Sequence, residues 1–253
     1  MADRQSPPRI FSPSRRQAGL ARARQRQGRR DAARYILDDM VDDVIDRLEF
    51  MRFNPARALV VGDLTGTLTP SLEAKGVEVN ERTAEDFDEE QPISGGPFDL
   101  IASLASLDRV NDLPGALLHA HAALGEGGIF IASVVGAGSL GNLRRAMIAA
   151  EPEKPAARMH PLIDTPSASA LMQRAGFRRQ VVDSHAVTVR YSSMTKLVSD
   201  LRDQGLNSAL RDRAPPLGKA AMNRASEAFA RAADAYGRVQ ETFEILTLTG
   251  WKG

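Results

Sequence analysis

The chain has no cysteine. That removes thiol nucleophiles, disulfide frameworks and thiolate-held metal centres from consideration. Histidine is scarce too. His119, His121, His160 and His185 are the only four, and the close pair in "HAHAAL" is two residues apart, which does not put both rings on one helix face. No metal site is expected from that spacing. No apolar run reaches 18 residues, so no transmembrane segment is expected. A formal net charge of +1 supplies none of the global basic excess on which nucleic-acid binding draws, and nucleic acid is an unlikely partner on that ground.

The distribution of charge is more telling than its sum. Residues 1–30 carry nine arginines against one acidic residue, and the stretch that follows turns acidic. An arginine-rich, acid-poor start is compatible with a mitochondrial targeting peptide, with an arm folded over a site or a partner, or with a solvated tail. We read 1–30 as an N-terminal arm and 31–253 as a single domain. Within that domain lie an irregular insertion near 139–165 and a helical segment at 194–237.

Apolar periodicity lays out the elements. Ile36, Met40, Val44, Leu48 and Met51 recur at helical spacing over 31–51, with acidic residues opposite; Pro55 ends that helix. "RALVVG" reads as a buried strand, "LTPSLEAKG" as a short helix and "GVEVNERT" as a second strand. "FDLIASL" and "GIFIASVVG" are further strands, separated by a helix with Pro114 in its first turn and Gly125 as its stop. The segment 139–150 predicts a short helix and "EPEKPAARMHPLID" an irregular, exposed excursion. A helix capped by Thr165 or Ser167 follows, stopped at Gly176. "RRQVVDSHAVTVRYS" is a strand pair or one bent strand. A helix ending at Gly205, a long alanine-rich helix over 218–237 and the strand "ETFEILTLTGWKG" complete the chain. Alternating strands and helices predict an α/β fold, a mostly parallel sheet with helices on both faces. The closing helix and strand suit an antiparallel insertion. The ligand crevice of such a sheet lies beyond the carboxyl ends of its strands, where strand order reverses.

The turn after the first strand, "LVVGDLTGTL", sits at that crevice. Gly62 and Gly66 permit positive φ and close approach of a ligand. Between them stands Leu64, whose side chain must enter either the core or ligand space. The spacing matches neither the dinucleotide fingerprint nor a phosphate-binding loop, so a tight turn that binds nothing is the competing reading.

The chain resembles the class I S-adenosylmethionine-dependent methyltransferases. More narrowly, it resembles bacterial relatives of the mitochondrial complex I assembly factor 5 family and, more distantly, the malonyl-carrier-protein methyltransferases of biotin synthesis. The resemblance is carried by "FDLIASLASLDRVNDLPGAL", "SLGNLRRAMIAAE", "LMQRAGFRRQVVDS", "VTVRYSSMTKLVSDLRDQGLNSAL" and "GRVQETFEILTLTGWKG", over residues 98–253, and by the opening "IFSPSRRQAGLARARQR". It implies a class I methyltransferase-like (Rossmann-like) fold with S-adenosylmethionine as cofactor. Carried over position by position, it implies cofactor-side roles for Gly62, Asp63, Leu64, Gly66, Glu81, Thr83, Ala84, Ser103, Leu104 and Asp108. It puts Arg158, His160 and Tyr191 on the substrate side, and it assigns no catalytic residue.

The departures from the family pattern cluster in that crevice. Val60 stands where the family has an acidic residue, and Leu64 replaces its second glycine. Residues 67–97 are few for the two strands and two helices usual there, which predicts loss of a strand–helix unit. In one register "VEVNERTAEDF" is the family's third-strand region, the second strand is missing, and Thr83 and Ala84 lie near the adenine. In another Glu81 is the ribose partner, a carboxylate accepting from two hydroxyls. We adopt the first. "LDRV" stands where relatives resemble "LHWV", so Asp108 and Arg109 replace a histidine and a tryptophan. Those two form an ion pair, bind a polar partner, or are a surface pair of little energetic value. Tyr191 is expected at a strand edge with its hydroxyl wet; Arg144 or Arg145 meets an acidic partner or both are solvated, and His185 needs no role.

The resemblance implies a methyltransferase acting on a protein or a small acyl-type acceptor, linked to respiratory complex I assembly. It also implies a protein arginine hydroxylase as an alternative, after the activity associated with the human assembly factor. The cluster of departures favours a non-catalytic assembly or interaction protein on the same scaffold. A nucleic-acid methyltransferase draws only on the arginine-rich arm. Expected partners are a protein substrate or a respiratory-complex subunit. The expected location is a bacterial cytoplasm, including the inner-membrane periphery, or a mitochondrial matrix.

Overall fold

The computed structural model describes residues 9–83 and 86–253. Six strands form one sheet: β1 (Arg57–Val61), β2 (Glu78–Arg82), β3 (Phe98–Leu104), β4 (Leu124–Val135), β5 (Arg178–Tyr191) and β6 (Val239–Trp251), in the order β2-β1-β3-β4-β6-β5. The first four run parallel, and β6 enters antiparallel between β4 and β5. This is the mostly parallel α/β sheet expected, with the antiparallel insertion at the end of the chain.

Period-two patterning splits the sheet between two cores. Ala58, Val60, Leu100, Ala102, Ile129, Ile131 and Ile245 face one side; Leu59, Val61, Ile101, Phe130, Ala132 and Leu246 face the other. Burial on both faces accounts for the near-continuous apolar runs in β1, β3 and β4. The edge strand β5 alternates between half-buried and exposed positions and carries charge outward, which discourages edge-to-edge pairing.

The first core is covered by α2 (Tyr35–Phe50), α3 (Leu68–Glu73), α5 (Gly141–Ala150), α7 (Met194–Asp203) and α8 (Lys219–Ala230). The second is covered by α4 (Leu113–Ala123) and α6 (Thr165–Arg174). In α2 the buried set is Ile36, Leu37, Met40, Val41, Val44 and Leu48, an apolar stripe three to four residues apart that leaves the acidic residues outward. A further helix, α1 (Pro13–Gln27), occupies much of the stretch read as an arm. Ser12 caps it, with Pro13 in its first turn, and it packs on α7.

Several boundaries differ from expectation. The cap of α6 is Asp164, whose carboxylate accepts from the Ser167 amide at 2.9 Å; neither Thr165 nor Ser167 takes that role. Helix α4 ends at Ala123 and passes directly into β4, because Leu124 already pairs with Phe98 in the sheet. Gly125 is therefore a strand residue. The alanine-rich helix stops at Ala230, and a turn closed by the Asp234 carboxylate on Tyr236 and Arg238 amides leads into β6.

Candidate functional site

The chain leaves β1 for β2 on one side and then crosses to β3 on the other, so the crevice predicted by topology lies beyond the ends of β1 and β3. β2 follows β1 through the single helix α3 and pairs with it in parallel along its whole length, Val60 opposite Glu81 and Val61 opposite Arg82. It is therefore next to β1 in both chain order and space, the place of a second strand. No further strand occurs between it and β3 among the described residues. One strand–helix unit of the family pattern is thus absent among the described residues, as expected. Glu81 is exposed on β2. Thr83 is engaged locally, its hydroxyl donating to Asp86 at 2.9 Å. Ala84 lies outside the described residues.

The turn after β1 is closed by its own side chains. Gly62 has φ of 84°, and a Cβ there would sit 2.3 Å from the Leu104 carbonyl oxygen, so its glycine character serves packing of β1 on β3. The Asp63 carboxylate is buried. It accepts from the Thr65 hydroxyl at 2.8 Å, the Gly66 amide at 2.9 Å, the Leu68 amide at 2.8 Å and the Thr69 amide at 3.3 Å. These are the donors that a turn and a helix start otherwise present to an anionic ligand. Leu64 packs toward Gly205, where an added Cβ would lie 3.2 Å from the Leu64 Cδ1 and 3.3 Å from both Ala23 and Leu20. The leucine thus fills the junction of α1, the end of α7 and the turn.

Two buried arginines occupy the end of β3. Arg109 is 2% exposed. Its guanidinium donates to the Ala105 carbonyl at 2.5 Å and to the Gly205 carbonyl, tying the strand end to the end of α7. Ala105 has φ of 47°, a left-handed conformation costly for a residue with a side chain and here pinned by that bond. From α1, Arg16 reaches the Glu89 carboxylate at 2.5 and 2.6 Å and the Ser106 hydroxyl at 2.9 Å. Ser106 in turn donates to Glu89. Ser103 and Leu104 are buried beneath these groups. Arginine matches a carboxylate with several donors at once, which offsets desolvation of the pair.

Asp108 and Arg109 are the buried ion pair among the alternatives, not a surface pair. Arg109 Nε stands 3.3 Å from Asp108 Oδ1, both side chains nearly excluded from water. Burial pushes the Asp108 carboxyl up, but Arg109 and His160 together outweigh it and hold the group at about 2. His160 Nε2 lies 3.6 Å from Asp108 Oδ2, an ion-pair contact rather than a hydrogen bond.

Asp108, His160 and Arg158 line a cavity of about 500 Å³ that extends away from the crevice between α1, α5 and α7. None of Gly62, Asp63, Leu64, Gly66, Glu81, Thr83, Ser103 and Leu104 borders it. Arg158 is half-buried and paired with Glu151 through two bonds of 2.8 and 2.9 Å, while Pro152, Glu153, Lys154 and Pro155 before it form the exposed, irregular stretch expected. Tyr191 is absent from the cavity wall. It is 2% exposed and its hydroxyl bonds that of Tyr35, so it is not wet. Burial raises both phenols, Tyr35 to about 12, and neither is a proton carrier near neutrality. His185 bonds Asp39 at 2.7 Å. Among the described residues no group of three or more His, Asp or Glu is placed to hold a metal, and no helix is long and apolar enough to cross a membrane.

Residues 13–182 match the model of the methyltransferase domain family. The chain belongs to that family. It is homologous to the mitochondrial arginine-hydroxylase NDUFAF5 of Danio rerio, 34% identical over 165 residues, 64% of this chain and 51% of the relative. It thus spans about half the length of that protein. Malonyl-[acyl-carrier protein] O-methyltransferase 1 of Coxiella burnetii is more distant, 26% identical over 82% of this chain and 77% of its own. A Burkholderia thailandensis 1,6-didemethyltoxoflavin-N1-methyltransferase solved with S-adenosylhomocysteine shares the fold with a TM-score of 0.52 and 16% identity, covering 100% of this chain and 97% of its own. Within this methyltransferase fold, Asp63 engages the turn amides after β1, and Leu64, Arg16 and Arg109 pack about the ends of β1 and β3. Glu81 is an exposed carboxylate on the strand beside β1.

The buried groups Arg16 and Glu89 were not singled out in the sequence. They lie 73 positions apart, one in an arginine-rich helix and the other in an acidic loop, and only the notion of an arm folded over a site pointed toward them.

Proposed function

We propose that this protein is a methyltransferase-fold binding protein that carries no methyl donor and acts by docking another protein, such as a respiratory-complex subunit. One observation carries the reading: the Arg109 guanidinium bridges the carbonyls of Ala105 and Gly205 across the crevice. Opening that space for a nucleoside exposes a buried cation, releases two carbonyls and leaves Asp108 without its main counter-charge, a cost of several kcal/mol. The self-capped Asp63 turn supports the same reading, since a donor already satisfied contributes little to a ligand.

The second reading is a working methyltransferase for a protein or acyl-type acceptor, with arginine hydroxylation as a variant of cofactor use on the same fold. Glu81 favours it. The carboxylate is exposed at the end of the strand beside β1, and it could accept from ribose hydroxyls. Methyl transfer itself asks only for orientation and exclusion of water, so the lack of an acid–base pair does not weigh against it.

A thermal shift with S-adenosylhomocysteine separates the two. A ligand at one hundred times its dissociation constant stabilises by about 2.7 kcal/mol, or roughly 5–10 °C for a chain of this size. We expect a Tm within about 1 °C of the free protein at millimolar ligand. A rise of several degrees would favour the enzyme.

A further inference from the structure

The cavity beside the crevice has a wall of one kind and a mouth of another. Leu143 and Met147 of α5, Val198 of α7, Leu162 and Phe243 give it an apolar lining. Arg15, Arg22, Arg202 and Arg213 also border it, and its acidic lining residue, Asp108, is buried against Arg109. The first two arginines are seven residues apart on α1, which places them on one face of the helix. Arg15 donates to the Leu210 carbonyl at 3.1 Å, bringing that face against the loop that bears Arg213. Arg22, Arg202 and Arg213 are exposed and have no carboxylate partner among the described residues. At the inner end the His160 ring is 9% exposed and its Nε2 has no hydrogen-bond partner. Its charged neighbour is the Asp108 carboxylate, 3.6 Å from that nitrogen.

We propose that this cavity binds a single-chain amphiphile with an acidic headgroup, the chain against Leu143, Met147, Val198 and Phe243 and the headgroup among Arg22, Arg202 and Arg213. The volume of about 500 Å³ falls within the range of roughly 300–1,000 Å³ typical of small-molecule sites. The apolar lining excludes a bare inorganic anion as the fitting occupant, because such an ion leaves the wall wet. Exposed guanidinium groups without a carboxylate partner favour an acidic headgroup over a cationic or neutral one. The ligand site lies outside the crevice at β1 and β3, so this inference goes beyond the preceding reading and does not depend on it.

Isothermal titration of the full chain with laurate and with dodecyl phosphate tests it, the two probes distinguishing a carboxylate from a phosphate headgroup. Dodecyl maltoside and acetate serve as the neutral chain and the chainless anion. We expect saturable binding of at least one acidic probe below its aggregation concentration. The triple variant R22E/R202E/R213E, altered only at exposed positions, is expected to bind at least tenfold more weakly with an unchanged circular dichroism melt, and Met147→Trp to lose binding by filling the apolar wall. The absence of saturable binding by either acidic probe would overturn the proposal. So would equal affinity for dodecyl maltoside or acetate, or wild-type affinity in the triple variant. If Met147→Trp does not fold, the exposed triple variant decides.

Discussion

Arg109→Met lowers the unfolding free energy by about 3–5 kcal/mol, the range for removing one partner of a buried ion pair. Methionine keeps most of the side-chain length, so the loss is not chiefly one of volume. It comes from the Ala105 and Gly205 carbonyls, which lose their donor, and from Asp108, whose carboxylate stays buried without the guanidinium that holds it charged. Ala105 adds to the effect, because its left-handed backbone is then held by fewer bonds. For a chain of this size the change amounts to roughly 10 °C in Tm. Denaturant unfolding followed by circular dichroism measures it. Asp108→Asn in the Arg109→Met background should recover part of the loss, since it removes the orphaned charge. A loss below about 1 kcal/mol, the range of exposed pairs, would mean that the guanidinium is solvated and the crevice is not sealed.

Gly62→Ala has an effect of similar size by another route. The backbone at Gly62 has φ of 84°, and the added methyl would meet the Leu104 carbonyl oxygen at 2.3 Å. That oxygen belongs to a central strand and cannot rotate aside. Left-handed strain of about 1–3 kcal/mol and overpacking of about 1–3 kcal/mol together predict about 4 kcal/mol of destabilisation, or an insoluble product. Gly66→Ala is the internal comparison. It carries similar strain, φ of 67°, but nothing lies within 4 Å of its added methyl, so it should cost only the conformational part. Equal losses at the two positions would show that packing of β1 on β3 is not what fixes the first glycine. The comparison bears on function as well: a glycine held by strand packing is not by itself a sign of a ligand.

Much of the scaffold was legible because its signals are periodic and local. The runs in β1, β3 and β4 are apolar on both faces, and α2 repeats Ile36, Met40, Val44 and Leu48 at helical spacing. The crevice was legible only as a cluster of departures. Val60 and Leu64 could be seen to be unusual, but not that Leu64 would meet Gly205, 141 positions on, or that Asp63 would satisfy the amides around it. Asp63 was carried as a cofactor-side candidate, yet its partners are its own turn and helix. Asp108 and Arg109 were left open between burial and the surface, because adjacent charges look the same in both. Burial depends on the Gly205 turn after α7 reaching the Arg109 guanidinium, a long-range contact without a local signature.

The proposed function requires that this chain's own side chains close the space beyond β1 and β3 to a sulfonium nucleoside. Isothermal titration of the full chain with S-adenosylmethionine, carried to about 1 mM, tests it most directly. No saturable heat is expected over that range. A one-to-one isotherm with a dissociation constant below about 10 μM, equivalent to roughly −7 kcal/mol, would contradict it.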